Sequence, residues 1–384
     1  MATKLWTLHF MRICLANLLL FISLYLLYPV LPVMMASRLG VPVSQTGVIF
    51  ILFTLAMFFI GPFHAYLVDV YKRKYICMLS FGVMVAATAG YTLVQNATHL
   101  LMLCIVQGLS FGMAATAGIT LAIDITNSTF RSAGNVVFSW AARLGMIIGA
   151  ALGVYLFRTH GFETLLYVAV ALGALGILFV SRVYVPFRAP IGMKVCSMDR
   201  FLLPRGLIPA FNLILIAFIP GLMLPVLAGA PSDVAVGGET VPFFALVGCG
   251  FLLSVLIVKL FFRYDNKMWL QIVVGLVTVI GSMAMLFSPE TSWNAPAAVL
   301  MGLGLGLVTP EFLMMFVKLS QHCQRGTANT THLLAWEPDW VLHLRVIYIL
   351  RLMNRPFIGS DCYRQSCLWH SSFYLHILIL KGRR

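Results

Sequence analysis

The chain has 384 residues, of which 61% are apolar and only 10% charged, with a mean hydropathy of +0.95. A soluble domain carries roughly 25% charged residues, so this chain cannot cover itself with a solvated surface, and lipid must be its solvent. The formal net charge of +14 does not point to nucleic acid, because the basic residues stand in short runs between apolar blocks and not on one wet face.

The eight cysteines form no CxxC pair and mostly lie within apolar runs, so neither a disulfide framework nor a metal site is expected. The first apolar run is too long for the core of a signal peptide and has no clear cleavage site, so it reads as a retained span.

A membrane-crossing helix needs about 20 mostly apolar residues. In chain order the sequence predicts ten such spans, at 11–36, 45–68, 75–94, 99–122, 134–157, 164–185, 207–229, 241–262, 268–288 and 295–317. Strands of a membrane barrel are half that length, so the fold class is an all-α polytopic membrane protein. The longest polar connection, Arg182–Gly206, follows the sixth span.

Basic residues alternate by loop. Lys72, Arg73, Lys74, Arg131, Arg182, Arg188, Lys194, Arg200, Arg205, Lys259, Arg263, Lys267, Lys318 and Arg325 fall on one side, with Arg38 and Arg158 plus the acidic Asp233, Glu239 and Glu290 on the other. The excess of Lys and Arg on cytoplasmic loops then predicts a cytoplasmic N-terminus.

Two of the basic loops share a phrase. "RSAGN" (Arg131–Asn135) follows span four and "RGTAN" (Arg325–Asn329) follows span ten, an offset of 325 − 131 = 194. Asp69 and Asp265, after spans two and eight, differ by 265 − 69 = 196. Two landmarks at nearly one offset indicate duplication of a six-helix half. The organisation expected is a first half over 1–185, a cytoplasmic linker over 186–206, and a second half over 207–337 that holds spans seven to ten and the start of an eleventh.

The pattern breaks at "WEPDWVLHL" (Trp336–Leu344). Residues 338–384 carry seven Lys/Arg and two Asp/Glu, and no clean span. Loss of one nucleotide near the Glu337 codon would explain this; a genuine ten-span protein with an unusual basic tail is the alternative reading. Codons for Asp339-Trp340-Val341 read in the alternative frame give Leu-Gly, and permitted codon choices give two further apolar stretches. Residues 338–384 are therefore expected to be an out-of-frame tail, and the 384-residue chain is expected to be impaired.

Six spans, a long link and a second set in register resemble the major facilitator superfamily of secondary transporters. The resemblance covers residues 1–337 and implies two six-helix halves that rock about a midplane site for a small solute. The loop after span two, "AYLVDVYKRK", resembles the signature loop of that family through Ala65, Asp69, Arg73 and Lys74, with Lys72 where Gly is usual. Asp69 at a helix end can pair with basic residues or a helix N-terminus, which would hold the cytoplasmic side closed.

In span four, "CIVQG" has the Gln107-Gly108 of proton-coupled members but Cys104 where their Arg stands. In span five, Gly145, Gly149 and Gly153 line one helix face and suit close packing. They resemble an exporter signature whose central Pro is here Ala150. "GLGLG" (Gly302–Gly306) lies inside a span and reads as packing.

Ionisable residues inside spans are costly and so are functional candidates. Arg12, Arg143 and Glu311 qualify, with Glu311 a candidate for a coupling proton. The resemblance places spans one, four, seven and ten around the cavity, making Asn17, Gln107, Asn212 and Glu311 substrate-side candidates. A hydrogen bond between helices is the alternative reading of each.

No nucleotide-binding loop, metal-ligand spacing or nucleophile–base pairing is present, so neither enzymatic chemistry nor a cofactor is expected. The function predicted is alternating-access transport of a small molecule across the cytoplasmic (inner or plasma) membrane, driven by a proton or other ion gradient. The chain would work as a monomer, with efflux as the favoured direction. Import of a sugar or organic acid, and a non-transporting receptor or enzyme, remain open.

Overall fold

The computed structural model describes residues 5–41, 43–127, 130–185, 211–212, 214, 233–236, 239–261, 268–286 and 293–319. Within these, side chains at 43–48, 65, 69, 131, 132, 233–236, 239–242, 259, 313, 314 and 316–319 are outside the description. Most of the seventh expected span, the 186–206 linker, Arg325, Asn329 and the 338–384 tail likewise lie outside the described residues.

The described chain is helical apart from one hairpin. The helices are α1 (Leu8–Tyr25), α2 (Leu31–Leu39), α3 (Val43–Phe59), α4 (Gly61–Val70), α5 (Arg73–Gly90), α6 (Ala97–Ile125), α7 (Arg131–Ser181), α8 (Phe243–Phe261), α9 (Met268–Leu286) and α10 (Asn294–Leu319). Six helical segments among the described residues are long and apolar enough to cross a membrane, and two shorter apolar helices cover Ile49–His64 and Phe243–Val258.

The helices leave many large hydrophobics exposed. Leu79 is 66% exposed, Tyr167 66% and Leu260 73%. In water such a surface would aggregate; against hydrocarbon it is the solvated face.

Two expected spans are more broken than a run of apolar residues suggests. The first is α1 and α2 joined by a turn before Pro32, and the second is α3 and α4 joined at Gly61-Pro62. Proline lacks the N–H that continues a helix, and in both cases it falls in the first turn of the following segment, where no N–H partner is needed.

Helix α7, at 51 residues, would extend about 77 Å as one straight helix, more than twice the ~30 Å hydrocarbon layer. Gly161, with φ 83° and ψ 179°, interrupts it. That backbone conformation suits glycine alone, and it divides α7 into the two crossings predicted at 134–157 and 164–185.

The hairpin is the departure from an all-helical chain. Strand β1 (Asp233–Val236) pairs antiparallel with β2 (Glu239–Pro242), with Val236 opposite Glu239. The eighth span consequently starts at Phe243 and not at 241.

Two separate cores organise the helices. The larger gathers residues of α1 to α7, from Phe10 and Ile13 to Leu165 and Val183. The smaller gathers Phe243, Val247, Ile272, Leu276, Val279, Met301, Leu305, Val308 and Phe312 from α8, α9 and α10. Met146 and Ile147 of α7 pack against the smaller core and join the two.

Candidate functional site

The end of the first bundle where α4 meets α5 is a cluster of directed charges. A two-residue turn, Tyr71-Lys72, sends three basic residues into different surroundings. Arg73 reaches α6, where Nη1 donates to Asp124 Oδ2 at 2.6 Å, and its Nε donates to the Val68 carbonyl of α4 at 3.2 Å. Lys74 Nζ donates to the Ser181 carbonyl at the end of α7, 2.7 Å away. Lys72 turns outward over the ring of Tyr75, 5.8 Å from its centroid.

Each contact has an electrostatic reason. Asp124 stands in the last turn of α6, where the partial negative charge of the helix end disfavours a carboxylate; its side chain is 4% exposed. Such a group persists when a cation compensates it, and Arg73 does so. The C-terminal carbonyls of α7 attract cations for the same reason. They receive two, because Arg12 Nη1 also donates to the Arg182 carbonyl at 2.9 Å. Asp69 lies one residue beyond Val68, the residue whose carbonyl Arg73 holds; its own side chain, and that of Ala65, are outside the described residues.

The sequence reading did not single out Asp124. The signal was present: it is the one acidic residue of a 29-residue apolar helix and sits at its unfavourable end.

The four polar candidates within spans are placed differently from one another. Asn17 of α1 is buried and donates Nδ2 to the Phe138 carbonyl of α7 at 3.1 Å. Gln107 of α6 is buried with both ends of its amide engaged: Tyr91 Oη donates to Oε1 at 2.9 Å, and Nε2 donates to Thr88 Oγ1 at 3.0 Å. These two side chains tie helices within the first bundle. Asn212 is buried beside Ile214, which packs on the second core. Glu311 is half-buried in α10, directly after Pro310, where the Thr309 hydroxyl donates to the Leu305 carbonyl at 2.6 Å.

The glycines of α7 face α1. A Cβ at Gly145 would stand 2.6 Å from the Leu18 carbonyl oxygen and one at Gly149 2.9 Å from that of Ile22, while at Gly153 it would overlap the Leu26 carbonyl. Positions 18, 22 and 26 step along α1 as 145, 149 and 153 step along α7, so the two backbones run in contact over two turns.

The opposite face of α7 turns toward the second core. Residues 140, 143 and 147 share one stripe by helical spacing, and Ile147 lies against Gly248 of α8. On that stripe Arg143 is 6% exposed, with Nη1 on Met146 Sδ at 3.2 Å. The Trp140 indole N–H is buried with no hydrogen-bond partner among the described residues. By helical spacing a guanidinium and an indole donor thus share the stripe of Ile147, which packs on the second core. Arg131 and Asn135 open α7, with Asn135 half-buried. Among the described residues no group of three or more His, Cys, Asp or Glu is placed to hold a metal ion.

Comparison with known proteins gives the fold a name. The human organic anion transporter MFSD10 (TETRAN) superimposes with a TM-score of 0.67 at 17% identity, covering 88% of this chain and 93% of its own. The peptide transporter POT in complex with alafosfalin gives 0.68 at 13% identity, over 97% and 93%. A bacterial homologue of the human lysosomal transporter Spinster, inward-facing and unoccupied, gives 0.59 at 15% identity, over 89% and 81%. At such identities the likeness is one of fold. No curated protein matches the sequence. The sequence profile of the Major Facilitator Superfamily matches residues 13–336, and with well over half of the chain matched, this integral membrane protein belongs to that superfamily.

Proposed function

We propose that the protein is a secondary active transporter that moves a small solute by alternating access, with efflux as its direction. The observation that carries this reading is Arg143, a charge buried at mid-span on the α7 face that meets the second core. A cation in that setting costs roughly 2.5–3.5 kcal/mol on insertion scales, and a fold whose two bundles meet around it gives it a use: binding solute between them. Trp140 and Arg143 both donate, so the solute carries an acceptor or anionic group. Asn212 and Glu311 complete the solute side from the second bundle. The glycine face of α7, Gly145 to Gly153, supports export through its likeness to the exporter signature.

The halves we infer are 1–185 and 207–337, joined by 186–206, with the N-terminus and the basic loops in the cytoplasm of a cell bounded by that membrane. The protein acts as a monomer on a proton or other ion gradient. Asp69, Arg73 and Asp124 hold the cytoplasmic ends of α4, α5 and α6 together when that side is shut. Residues 338–384 are, in this reading, an out-of-frame tail, and the charged, broken pattern after Trp336 is what supports it. The test is transport over a compound panel in proteoliposomes, with and without a pH gradient and in both membrane orientations, using the 384-residue and frame-restored chains. Gradient-driven movement that Glu311→Gln abolishes, while downhill exchange survives, is the expected result. Movement unaffected by pH or by that substitution would remove Glu311 from the coupling, and uptake in place of extrusion would reverse the direction.

A further inference from the structure

A groove of 640 Å³ runs along the outer face of α5, bounded by Tyr71, Lys72, Tyr75, Leu79, Gly82 and, from the second crossing of α7, Ile177. It is separate from the inter-bundle site, since it opens outward: Tyr71 is 54% exposed, Tyr75 61% and Leu79 66%.

Its two ends differ chemically. At the α4–α5 turn stands Lys72, exposed and over the Tyr75 ring, while its neighbours Arg73 and Lys74 are turned inward onto Asp124 and the Ser181 carbonyl. Here α5 begins without a side-chain cap, so its first N–H groups add to the positive end of the helix. An ammonium beside a helix N-terminus is suited to a phosphate. Away from the turn the lining is Leu79, Gly82 and Ile177, and nothing lies within 4 Å of where a Gly82 Cβ would stand. From Lys72 to Gly82 the helix rises about 15 Å, half of the ~30 Å hydrocarbon layer, which is the depth of one leaflet.

A cationic rim with tyrosines at the interface and an apolar trough one leaflet deep are the two halves of a lipid site. We propose that this groove binds one anionic phospholipid from the leaflet at which α5 begins. Lys72 and the α5 N-terminus take the phosphate, and one acyl chain lies along Leu79, Gly82 and Ile177. The proposal stands whether or not the transport reading does.

The test is photolabelling of the full chain in nanodiscs, using phosphatidylglycerol with a photoactivatable acyl chain, and phosphatidylcholine carrying the same chain as control. The expected label falls on residues 75–82 and around Ile177. Excess unlabelled phosphatidylglycerol should displace it, and neither phosphatidylcholine nor soluble glycerol phosphate should do so. Lys72→Gln should lower labelling about fivefold, the increment of one surface charge, and Gly82→Leu should fill the trough and lower it at least as much. Lys72 is exposed, so its variant decides the matter if Gly82→Leu folds poorly. Equal labelling by phosphatidylcholine, displacement by glycerol phosphate, label spread evenly over the belt, protection of the groove by a second copy of the chain, or labelling unchanged in Lys72→Gln would each overturn the proposal.

Discussion

The two bundles solve the same packing problem with different chemistry. In the first, helices are cross-linked by polar contacts with fixed partners: Asn17 to Phe138, Ser23 to Ala169, Gln107 to Tyr91 and Thr88, and Arg73 to Asp124. In the second, α8 and α10 meet at glycines. A Cβ at Gly250 would overlap the Val299 carbonyl, one at Gly302 the Val247 carbonyl, and one at Gly306 the Ser254 hydroxyl. Among the described residues, Gln271 Nε2 donates to the Leu307 carbonyl across helices there, at 2.9 Å. Lipid tails are as apolar as Leu, so burial alone does not drive helices together, and close backbone approach or interhelical hydrogen bonding must do so. The first bundle uses both means, since Gly145 to Gly153 also seat α1. The described part of the second leans on backbone approach.

That contrast sets the order of expected effects. Gly302→Leu should be the most damaging change, because the new side chain meets backbone that cannot move aside. A loss of about 3 kcal/mol, at the upper end of overpacking costs, is expected, read as collapse of membrane abundance and of the monodisperse peak in detergent. Gly281→Leu in α9, where nothing lies within 4 Å of the added Cβ, should leave both intact. Similar behaviour of the two variants would break the account of the second bundle.

Next comes the Arg73–Asp124 pair. Arg73→Gln leaves a buried carboxylate at a helix C-terminus, a loss on the order of 3 kcal/mol, and the double change Arg73→Gln with Asp124→Asn should recover most of it. Thermal melting of the four proteins measures the coupling; simple additivity would show that the contact does not stabilise the bundle. In the same end of the molecule, Asp69→Asn should lower transport while leaving abundance near normal. Unchanged transport in that variant would remove Asp69 from the closure.

The smallest effects belong to the neutral bonds of the first bundle. Gln107→Leu breaks two contacts, while Thr88 keeps its bond to the Met84 carbonyl and Tyr91 its contact with Cys104 Sγ, so about 1–2 kcal/mol is expected. Asn17→Leu removes one bond, worth roughly 0.6 kcal/mol in a membrane bundle. Both variants should transport at near-parental rates. Loss of transport with unchanged melting would return these side chains to the solute path.

The crossings were readable from sequence because lipid forces a simple rule: a span must be long, apolar and self-satisfied in hydrogen bonds. The rule says nothing of where such a span bends. Pro32, Gly61-Pro62 and Gly161 are visible in sequence, yet the apolar runs continue across the two prolines and absorb them. The hairpin at 233–242 fell in a short polar connection where a helix start and a strand look alike.

The site was legible by residue type and not by partner. Asn17, Gln107, Arg143 and Glu311 stand out as polar in apolar runs. That Gln107 meets Thr88 and Tyr91, or that Arg73 meets Asp124 across 51 positions, depends on which helices become neighbours, which the local pattern does not carry. Spacing did carry one such relation: Gly145, Gly149 and Gly153 had to share a face, and that face lies on α1.

Solute counterflow in proteoliposomes tests the central claim most directly. With a solute identified from the panel, a carrier whose two bundles alternate should move labelled solute faster when unlabelled solute is present on the opposite side. Saturation should accompany that acceleration, and Arg143→Gln should abolish both. A folded chain, frame-restored or not, that shows only linear leak, with no acceleration from the opposite side for any solute, would contradict the account.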